Sequence, residues 1–393
     1  MRPDILVQQA QGSSTLRSGR LRAAGRLLTL VLAAGAVACG SDDNGGGDGG
    51  GGDGGGGGDG GGGGDGGGGF DQPPLAEGMA TLAGTGTPGD VDGPRNQALF
   101  DNPVNVVVAP DGDVLVADFG NSKIRRVTPD GEVSTISLAP EVGMFVRPFG
   151  MVVVGDMLFV QTDGNSLGQQ GGAIWRMRLE GGAPELVRDN VGRPRGMALL
   201  PDGRIALADY QGHVVRVLSP DSGTLGLLAG TFNSAGFADG SGASAKFNEP
   251  YDLVVTPSGD LLVSDLGNHR IRRVTMDGEV TTFAGTGTPG LNDGPIGGAV
   301  FNAPQGLAID GAGNVFVTDT GNFLIREISA EGVVRTVAGD GSPGYRDSEN
   351  PSEAQVFGLE GIDIDPNGPF LYIADGNRGE DGPYHRVRRC TLD

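Results

Sequence analysis

Cysteine, histidine and positive charge are scarce in this chain of 393 residues, and each shortage excludes a class of protein. The 2 Cys cannot form a disulfide scaffold for a chain of this length, and the 3 His leave little material for a histidine metal centre. Lys and Arg number 28 against 49 Asp and Glu, so a net charge of −21 argues against binding to nucleic-acid phosphates. Glycine is abundant, at 76 residues, but lacks the three-residue period of collagen.

The first 38 residues carry five Arg and a single acidic residue, Asp4, ahead of an apolar run over residues 27–38. This run is too short to span a bilayer, which takes about 20 residues. A basic flank, a short apolar stretch and small residues before a cleavage point predict a secretory signal peptide over residues 1–38. An ordinary signal peptide followed by an incidental Cys is the simpler alternative.

The end of this segment, Ala36-Val37-Ala38-Cys39, resembles the lipobox of bacterial lipoprotein precursors. The resemblance implies that Cys39 is fatty-acylated and becomes the first residue of the mature protein. It also implies a lipid-anchored protein of the bacterial cell envelope, expected at the outer membrane, with the lipid as its only attachment to a membrane.

Residues 39–69 continue from the acylated Cys39 into a nearly pure Gly tract with regularly spaced Asp residues. A tract with no apolar side chain to bury cannot offset the entropy lost on ordering. We therefore expect a disordered linker that holds the remaining chain, residues 70–393, away from a membrane.

Residues 70–393 contain six copies of one unit. Each copy has a short apolar strand that ends in Asp, and these residues recur every 45 to 56 positions: Asp118, Asp163, Asp209, Asp265, Asp319 and Asp375. An upstream strand opens each copy with nearly the same spacing, at Pro103, Pro148, Pro194, Pro250, Pro304 and Leu359. Two markers that share one irregular period indicate six true repeats.

Each copy is predicted to form four strands joined by tight turns rich in Gly and Asn, which tolerate positive φ. Four-stranded units at this period predict an all-β chain folded as a six-bladed β-propeller, a single domain over residues 70–393. The pattern of residues 304–326, and Gly267-Asn-His-Arg-Ile-Arg272 in the fourth copy, resemble the NHL repeat. The resemblance covers residues 79–393 and is weaker in copies two and three.

The sixth copy ends after its third strand, residues 385–390, whereas residues 79–84 resemble the fourth strands of other copies. We therefore expect the N-terminal strand to complete the last blade and to close the ring without a free edge.

Long inserts precede copies one, four, five and six. Each contains an acidic residue, interpreted as a turn former, and ends in Phe: Asp92 with Phe100, Asp239 with Phe247, Asp293 with Phe301, and Asp347 with Phe357. The recurring Phe predicts that the inserts are packed and ordered. We expect them to form a wall over one face, the top face, which stays open above blades two and three.

Polar side chains stand one or two places after the opening residues of the inner strands: Asn105, Arg195, Tyr251, Asp252, Gln305 and Glu360. They are predicted to converge at the top mouth of the central channel as a wet binding site. The ligand would be a protein, a glycan or a small molecule bound by a monomer, with no nucleic acid involved. A water-filled mouth without any ligand is the alternative.

An enzymatic alternative also follows from resemblance. Six-bladed lactonases resemble this scaffold and hold a metal with Glu, Asn and Asp, residue types that Glu360, Asn105 and Asp252 offer at the mouth. Ca²⁺ would suit such oxygen ligands, although no resident cofactor is expected. The three His residues start third strands in different blades and are interpreted as structural: His213, His269 and His385.

Overall fold

A computed structural model describes residues 75–377 and 382–392. The predicted signal peptide, the acylation site Cys39 and the Gly-rich linker lie outside these residues and stay predictions. Within the described part of the chain, no helix combines the length and apolarity needed to cross a membrane.

Six antiparallel sheets make up the described chain, each corresponding to one predicted copy. Blade one comprises β2 (Pro103–Val108), β3 (Val114–Asp118), β4 (Lys123–Val127) and β5 (Val133–Thr135). Blade two comprises β6 (Pro148–Val154), β7 (Met157–Gly164), β8 (Gln170–Arg178) and β9 (Glu185–Asp189). Blade three comprises β10 (Pro194–Leu199), β11 (Ile205–Asp209), β12 (Val214–Ser219) and β13 (Thr224–Gly230).

The later blades follow the same order. Blade four comprises β15 (Pro250–Val255), β16 (Leu261–Asp265), β17 (Arg270–Val274) and β18 (Glu279–Ala284), with the short β14 (Gly240–Ser241) at its outer edge. Blade five comprises β20 (Pro304–Ile309), β21 (Val315–Asp319), β22 (Leu324–Ile328) and β23 (Val333–Ala338), with β19 (Gly294–Pro295) at its edge. Blade six comprises β24 (Leu359–Ile364), β25 (Phe370–Asp375), β26 (His385–Thr391) and β1 (Met79–Gly86). Short 3₁₀ turns lie at Gly242–Ser244, Leu266–Asn268, Thr320–Asn322 and Pro351–Glu353.

The second strand of each blade is the most deeply buried. All five residues of β3, β11, β16 and β21 are buried, because a neighbouring blade covers each face of the sheet. This explains why these strands are apolar runs instead of alternating patterns. The turns between first and second strands need positive φ, which Gly112 (φ 90°) and Gly203 (φ 86°) supply. The six-bladed, all-β prediction is confirmed.

The ring closes as predicted. β1 pairs antiparallel with β26, placing Met79 opposite Cys390 and Gly86 opposite His385. Met79 and Leu82 of β1 are fully buried, and Cys390 is a buried free thiol. The first strand of the domain, β1, therefore completes the last blade by pairing with β26.

The inserts are packed, as the recurring Phe predicts. The four Phe residues that end them are fully or almost fully buried: Phe100, Phe247 and Phe301 at 0% exposure and Phe357 at 8%. Each insert then reaches the outer edge of its own blade. In blades four and five it adds β14 and β19 beside the fourth strand, and in blades one and six it makes a single bridge, Gly93 to Val133 and Ser348 to Met79. Each insert thus covers a sheet edge, a role that the sequence did not indicate, whereas the wall over the top face stays a prediction.

The acidic residues of the inserts are not mere turn formers, which corrects the interpretation from sequence. Each forms an ion pair, at 2.5–2.6 Å, with a third-strand Arg whose side chain is 0% exposed: Arg125 with Asp92, Arg272 with Asp239, Arg326 with Asp293, and Arg388 with Asp347. The same guanidinium groups reach the Asp at the end of the second strand, at 2.8–2.9 Å, through their other amino group: Asp118, Asp265, Asp319 and Asp375. One buried Arg therefore ties the insert, the second strand and the third strand together.

The three histidines fasten one blade to the next, as the structural interpretation predicts. Nδ1 of His213, His269 and His385 accepts the backbone N–H just before the following inner strand, at 2.8–3.0 Å. Burial lowers the pKa of His269 and His385, which keeps the accepting neutral form. The residues that donate, Asn102, Glu249 and Ala303, all have positive φ.

Removing β1 should destabilise the entire propeller. We expect a fragment of residues 87–393 to lose several kcal/mol of unfolding free energy relative to residues 70–393, because a ladder of hydrogen bonds worth about 1 kcal/mol each and four buried apolar side chains are lost. Chemical denaturation followed by circular dichroism measures the difference. A loss below about 1 kcal/mol would contradict closure by β1, since a strand that seals the ring supports every blade.

Candidate functional site

Side chains one place after the opening residues of blades two, three and four lie in contact with one another. The ring of Tyr251 packs edge-on against Phe149, with centroids 5.9 Å apart, and the Arg195 guanidinium lies 4.0 Å from the Phe149 centroid. Arg195 is 8% exposed, Tyr251 5% and Gln305 7%. The mouth is therefore a packed floor of aromatic and polar groups, more buried than the wet lining expected from sequence.

Asp252, two places after an opening residue, connects neighbouring inner strands. Oδ1 and Oδ2 of Asp252 accept the backbone N–H groups of Leu253 and Leu307, at 2.8 and 2.9 Å, so this carboxylate clamps the inner strand of blade five to that of blade four. Gly196 faces it from blade three, where a Cβ would lie 2.3 Å from Asp252 Oδ1. Burial raises the pKa of Asp252 to about 7.

Asp363, which sequence reasoning missed, forms the matching clamp between blades six and one. Its carboxylate accepts the backbone N–H groups of Ile364 and Val108, both at 2.8 Å, and burial raises its pKa to about 6. Asp252 and Asp363 line a central cavity of about 270 Å³ together with Asn105 and apolar residues of all six inner strands. They belong to the channel wall below the mouth.

The residues suggested for a lactonase-like metal do not fit a Ca²⁺ site. Both carboxylate oxygens of Asp252 and the side-chain oxygen of Asn105 already accept backbone hydrogen bonds. Across residues 75–377 and 382–392, no group of three or more His, Cys, Asp or Glu residues is placed to hold a metal ion. Glu360 instead faces the mouth, where its charge interacts with Tyr251.

Blade two departs from the repeat at the place where the other blades have their buried ion pair. Trp175 occupies the third-strand position of the Arg, opposite Val160. Thr162, not Asp163, lies opposite Pro148 and so takes the position of the strand-end Asp. The indole N–H of Trp175 donates to Thr162 Oγ1 at 2.9 Å, and both side chains are fully buried. A neutral hydrogen bond replaces the ion pair.

Because Thr162 takes the structural position, Asp163 lies one residue further along the strand, at the mouth. Its carboxylate accepts hydrogen bonds from Arg195 Nη1 at 2.8 Å and from Arg193 Nη2 at 2.6 Å. Burial alone would raise the pKa of Asp163, but the charges and hydrogen bonds of the two arginines outweigh it and hold that pKa below its ordinary value. Interpreting Asp163 as a repeat marker was therefore wrong. The signals that could have revealed it are the extra residue in its strand and Trp at an Arg position.

The wall of the mouth is completed by Tyr210, which follows the second strand of blade three. Its ring packs edge-on against Tyr251 at 5.8 Å. Burial raises the pKa of Tyr210, and a hydrogen bond to Glu249 raises it further. Gln305 Oε1 and Arg193 Nε are among the buried polar atoms that have no hydrogen-bond partner in the described part of the chain. Buried polar groups are normally paired, so both side chains have unused hydrogen-bonding capacity.

Asp163 is expected to hold the mouth together. Asp163→Asn leaves the buried Arg195 guanidinium without its counter-charge, and we expect a loss of about 3 kcal/mol or more in unfolding free energy. Asp156→Asn, which removes an exposed partner of Arg178 in the same blade, should cost less than about 0.5 kcal/mol. Equal effects of the two substitutions in urea denaturation would show that the Asp163 pair is solvated.

Comparisons with known proteins agree with this architecture. A family model described as NHL repeat matches residues 100–127, 247–274 and 301–328. The chain is 34% identical over 163 residues to Protein SUPPRESSOR OF QUENCHING 1, chloroplastic, of Arabidopsis thaliana, which covers 39% of this chain and 15% of that protein. It is 37% identical over 125 residues to human NHL repeat-containing protein 2, which covers 29% and 17%. The chain therefore spans less than a fifth of the length of these curated relatives.

Solved structures share the fold at low identity. A structural genomics protein of unknown function from Bacteroides thetaiotaomicron has a TM-score of 0.64 and 19% identity, with 81% of this chain and 76% of that chain covered. An auxiliary nutrient binding protein from the same organism has a TM-score of 0.58 and 18% identity, with 79% and 75% covered. With the sheets described above, these matches show that the chain is a six-bladed β-propeller containing NHL repeats.

Proposed function

We propose that this propeller is a binding module that receives a small polar ligand or a glycan at the top mouth of its channel. The observation that carries the proposal is the departure of blade two from the repeat. Trp175 and Thr162 take over the structural contact, and the displaced Asp163 anchors two arginines in the mouth instead. A departure from the repeat that places an additional charged residue at the mouth favours a role beyond holding the blade together.

The chemistry of the mouth suits a ligand with hydroxyl or carboxylate groups. The Arg193 side chain is 26% exposed and offers hydrogen-bond donors of its guanidinium, while the buried Gln305 Oε1 is an acceptor that no described residue uses. The partly exposed ring of Tyr210, held edge-on against Tyr251, supplies an apolar face on which a sugar or other flat molecule can pack. These groups are held by buried contacts before any ligand arrives, so little ordering entropy is lost on binding.

The fold is shared with auxiliary nutrient binding proteins from Bacteroides thetaiotaomicron and Bacteroides ovatus, which is compatible with a binding role. The lactonase-like alternative depends on a shared metal, and the residues that would hold it do not support one, because Asn105 and Asp252 are engaged with backbone N–H groups.

Arg193 and Gln305 are expected to determine ligand affinity. A panel of mono- and oligosaccharides and small organic acids, screened by thermal shift and titrated by calorimetry, should give at least one ligand. Arg193→Ala should weaken its binding by roughly 10- to 100-fold, the effect of losing a charge-assisted hydrogen bond. Gln305→Leu should weaken it as well.

The matched control is Arg178→Ala, which removes an exposed arginine from β8 of blade two without touching the mouth. It should leave affinity unchanged. A panel without ligands, or ligands bound equally well by the Arg193→Ala and parent proteins, would contradict a binding site at the mouth.

We further propose that the chain is exported and anchored by acyl groups on Cys39, with the Gly-rich linker as a spacer. Cys39→Ser should abolish metabolic labelling with a fatty acid and should move the protein from the detergent phase to the aqueous phase in Triton X-114 partitioning. Cys390→Ser is the control, because Cys390 is a buried thiol of the propeller. Labelling that persists in Cys39→Ser would contradict the lipid anchor.

A further inference from the structure

The outer edges of the six blades are finished in two different ways. In blades one, four, five and six, the chain covers its own edge with an insert. In the described residues, no strand or bridge pairs with the outer edge of β9 in blade two or β13 in blade three. An uncovered edge presents unpaired backbone groups that can accept a further strand.

The covered edges share one arrangement. An Asp of the insert lies against the fourth strand and accepts both the buried Arg and a Thr of that strand. Asp92 accepts from Thr135 N at 3.0 Å, Asp293 from Thr336 N at 3.1 Å, and Asp347 from Thr81 N at 2.9 Å. These Thr residues lie directly opposite the Arg in the ladder: Arg125 with Thr135, Arg326 with Thr336, and Arg388 with Thr81. The Arg and the Thr at the edge of a blade therefore form a binding site for an extended segment that carries a carboxylate.

Blade three keeps the Arg of this arrangement and lacks the insert. Arg216 Nη1 donates to Val191 O at 2.8 Å and to Asp209 at 3.3 Å. Its other amino group, Nη2, is the one that holds the insert Asp in the covered blades, and it has no partner among the described residues. The Arg216 side chain is 15% exposed, against 0% for its counterparts under an insert.

The surroundings of Arg216 favour an acidic, partly apolar segment. Arg188 of β9 is close enough for its charge to act on Arg216, so two arginines lie near this edge in a chain of net charge −21, one of them paired with Asp209. Leu227 lies opposite Arg216, in the ladder position that Thr has in the covered blades, so its backbone N–H points outward as the Thr N–H groups do. Its surface is 47% exposed. Phe232, also 47% exposed, lies 5.2 Å from the Arg216 guanidinium.

We propose that the outer edge of blade three is a docking site for an extended acidic segment of a partner protein. The segment adds a strand to β13 and places an Asp or Glu carboxylate on Arg216 Nη2. Two observations favour this occupant. An acidic segment complements the charge of Arg216, and each insert of the four covered blades is itself an extended segment with a carboxylate at this position. Blade two is excluded, since Trp175 stands where the Arg would be.

The test uses a peptide with the sequence of residues 236–242, the part of the blade-four insert that contains Asp239 and β14, added to the full chain. We expect binding by calorimetry, and slowed amide hydrogen exchange confined to β13. Replacing the Asp of the peptide with Asn should weaken binding at least tenfold.

Two variants at the proposed docking site and one control test whether peptide binding depends on this edge. Arg216→Gln should weaken peptide binding at least tenfold, whereas Arg176→Gln, at an exposed arginine of blade two, should not. Leu227→Pro removes the outward N–H of the edge while leaving the inner ladder in place, and should also abolish binding. The proposal is overturned if no binding occurs at peptide concentrations up to about 1 mM. It is also overturned if the Asn peptide binds equally well, or if protection falls on another blade.

Discussion

A buried guanidinium shared by three chain segments is the interaction on which the regular blades depend. Burying a charge is costly unless its hydrogen-bonding groups are filled. Arg326 shows how this is achieved, since it donates to Asp319 of the second strand, to Asp293 of the insert and to backbone carbonyls of the same insert. Detaching the insert would leave the buried guanidinium without part of its hydrogen-bond partners. A loop of about 20 residues is therefore held against the sheet.

The same interaction explains which parts of the fold could be predicted from sequence. Period, strand-end Asp and buried Phe recur locally, so the six blades, the closure by β1 and the packing of the inserts follow from pattern alone. The partner of Asp293 lies 33 residues away on another strand, and no local pattern reveals it. Its interpretation as a turn former was therefore incomplete, and the path of the inserts along the blade edges was missed for the same reason.

The candidate site was predictable in position and less so in chemistry. Arg195 and Tyr251 both contact Phe149, because residues that directly follow the opening of an inner strand share one level of the ring, whereas their role in binding a ligand stays a prediction. Asp252 is one residue further along and turns toward the neighbouring strand, where a backbone clamp uses both its oxygens. Asp163 could not be placed from spacing, because a one-residue shift in β7 changes which side chain takes the structural position.

Blades two and three depart from the repeat in opposite senses. Blade two loses the Arg and keeps its core sealed with the Trp175 to Thr162 hydrogen bond, so its acidic residue pairs with two arginines at the mouth. Blade three keeps Arg216 and loses the insert, so one amino group of this Arg lacks the carboxylate that an insert supplies elsewhere. In both cases a contact that the regular blades make within the repeat is replaced or left incomplete. Broken symmetry in a repeat protein therefore locates candidate binding surfaces on physical grounds, because every copy that keeps the complete ion pair has no charge left to offer.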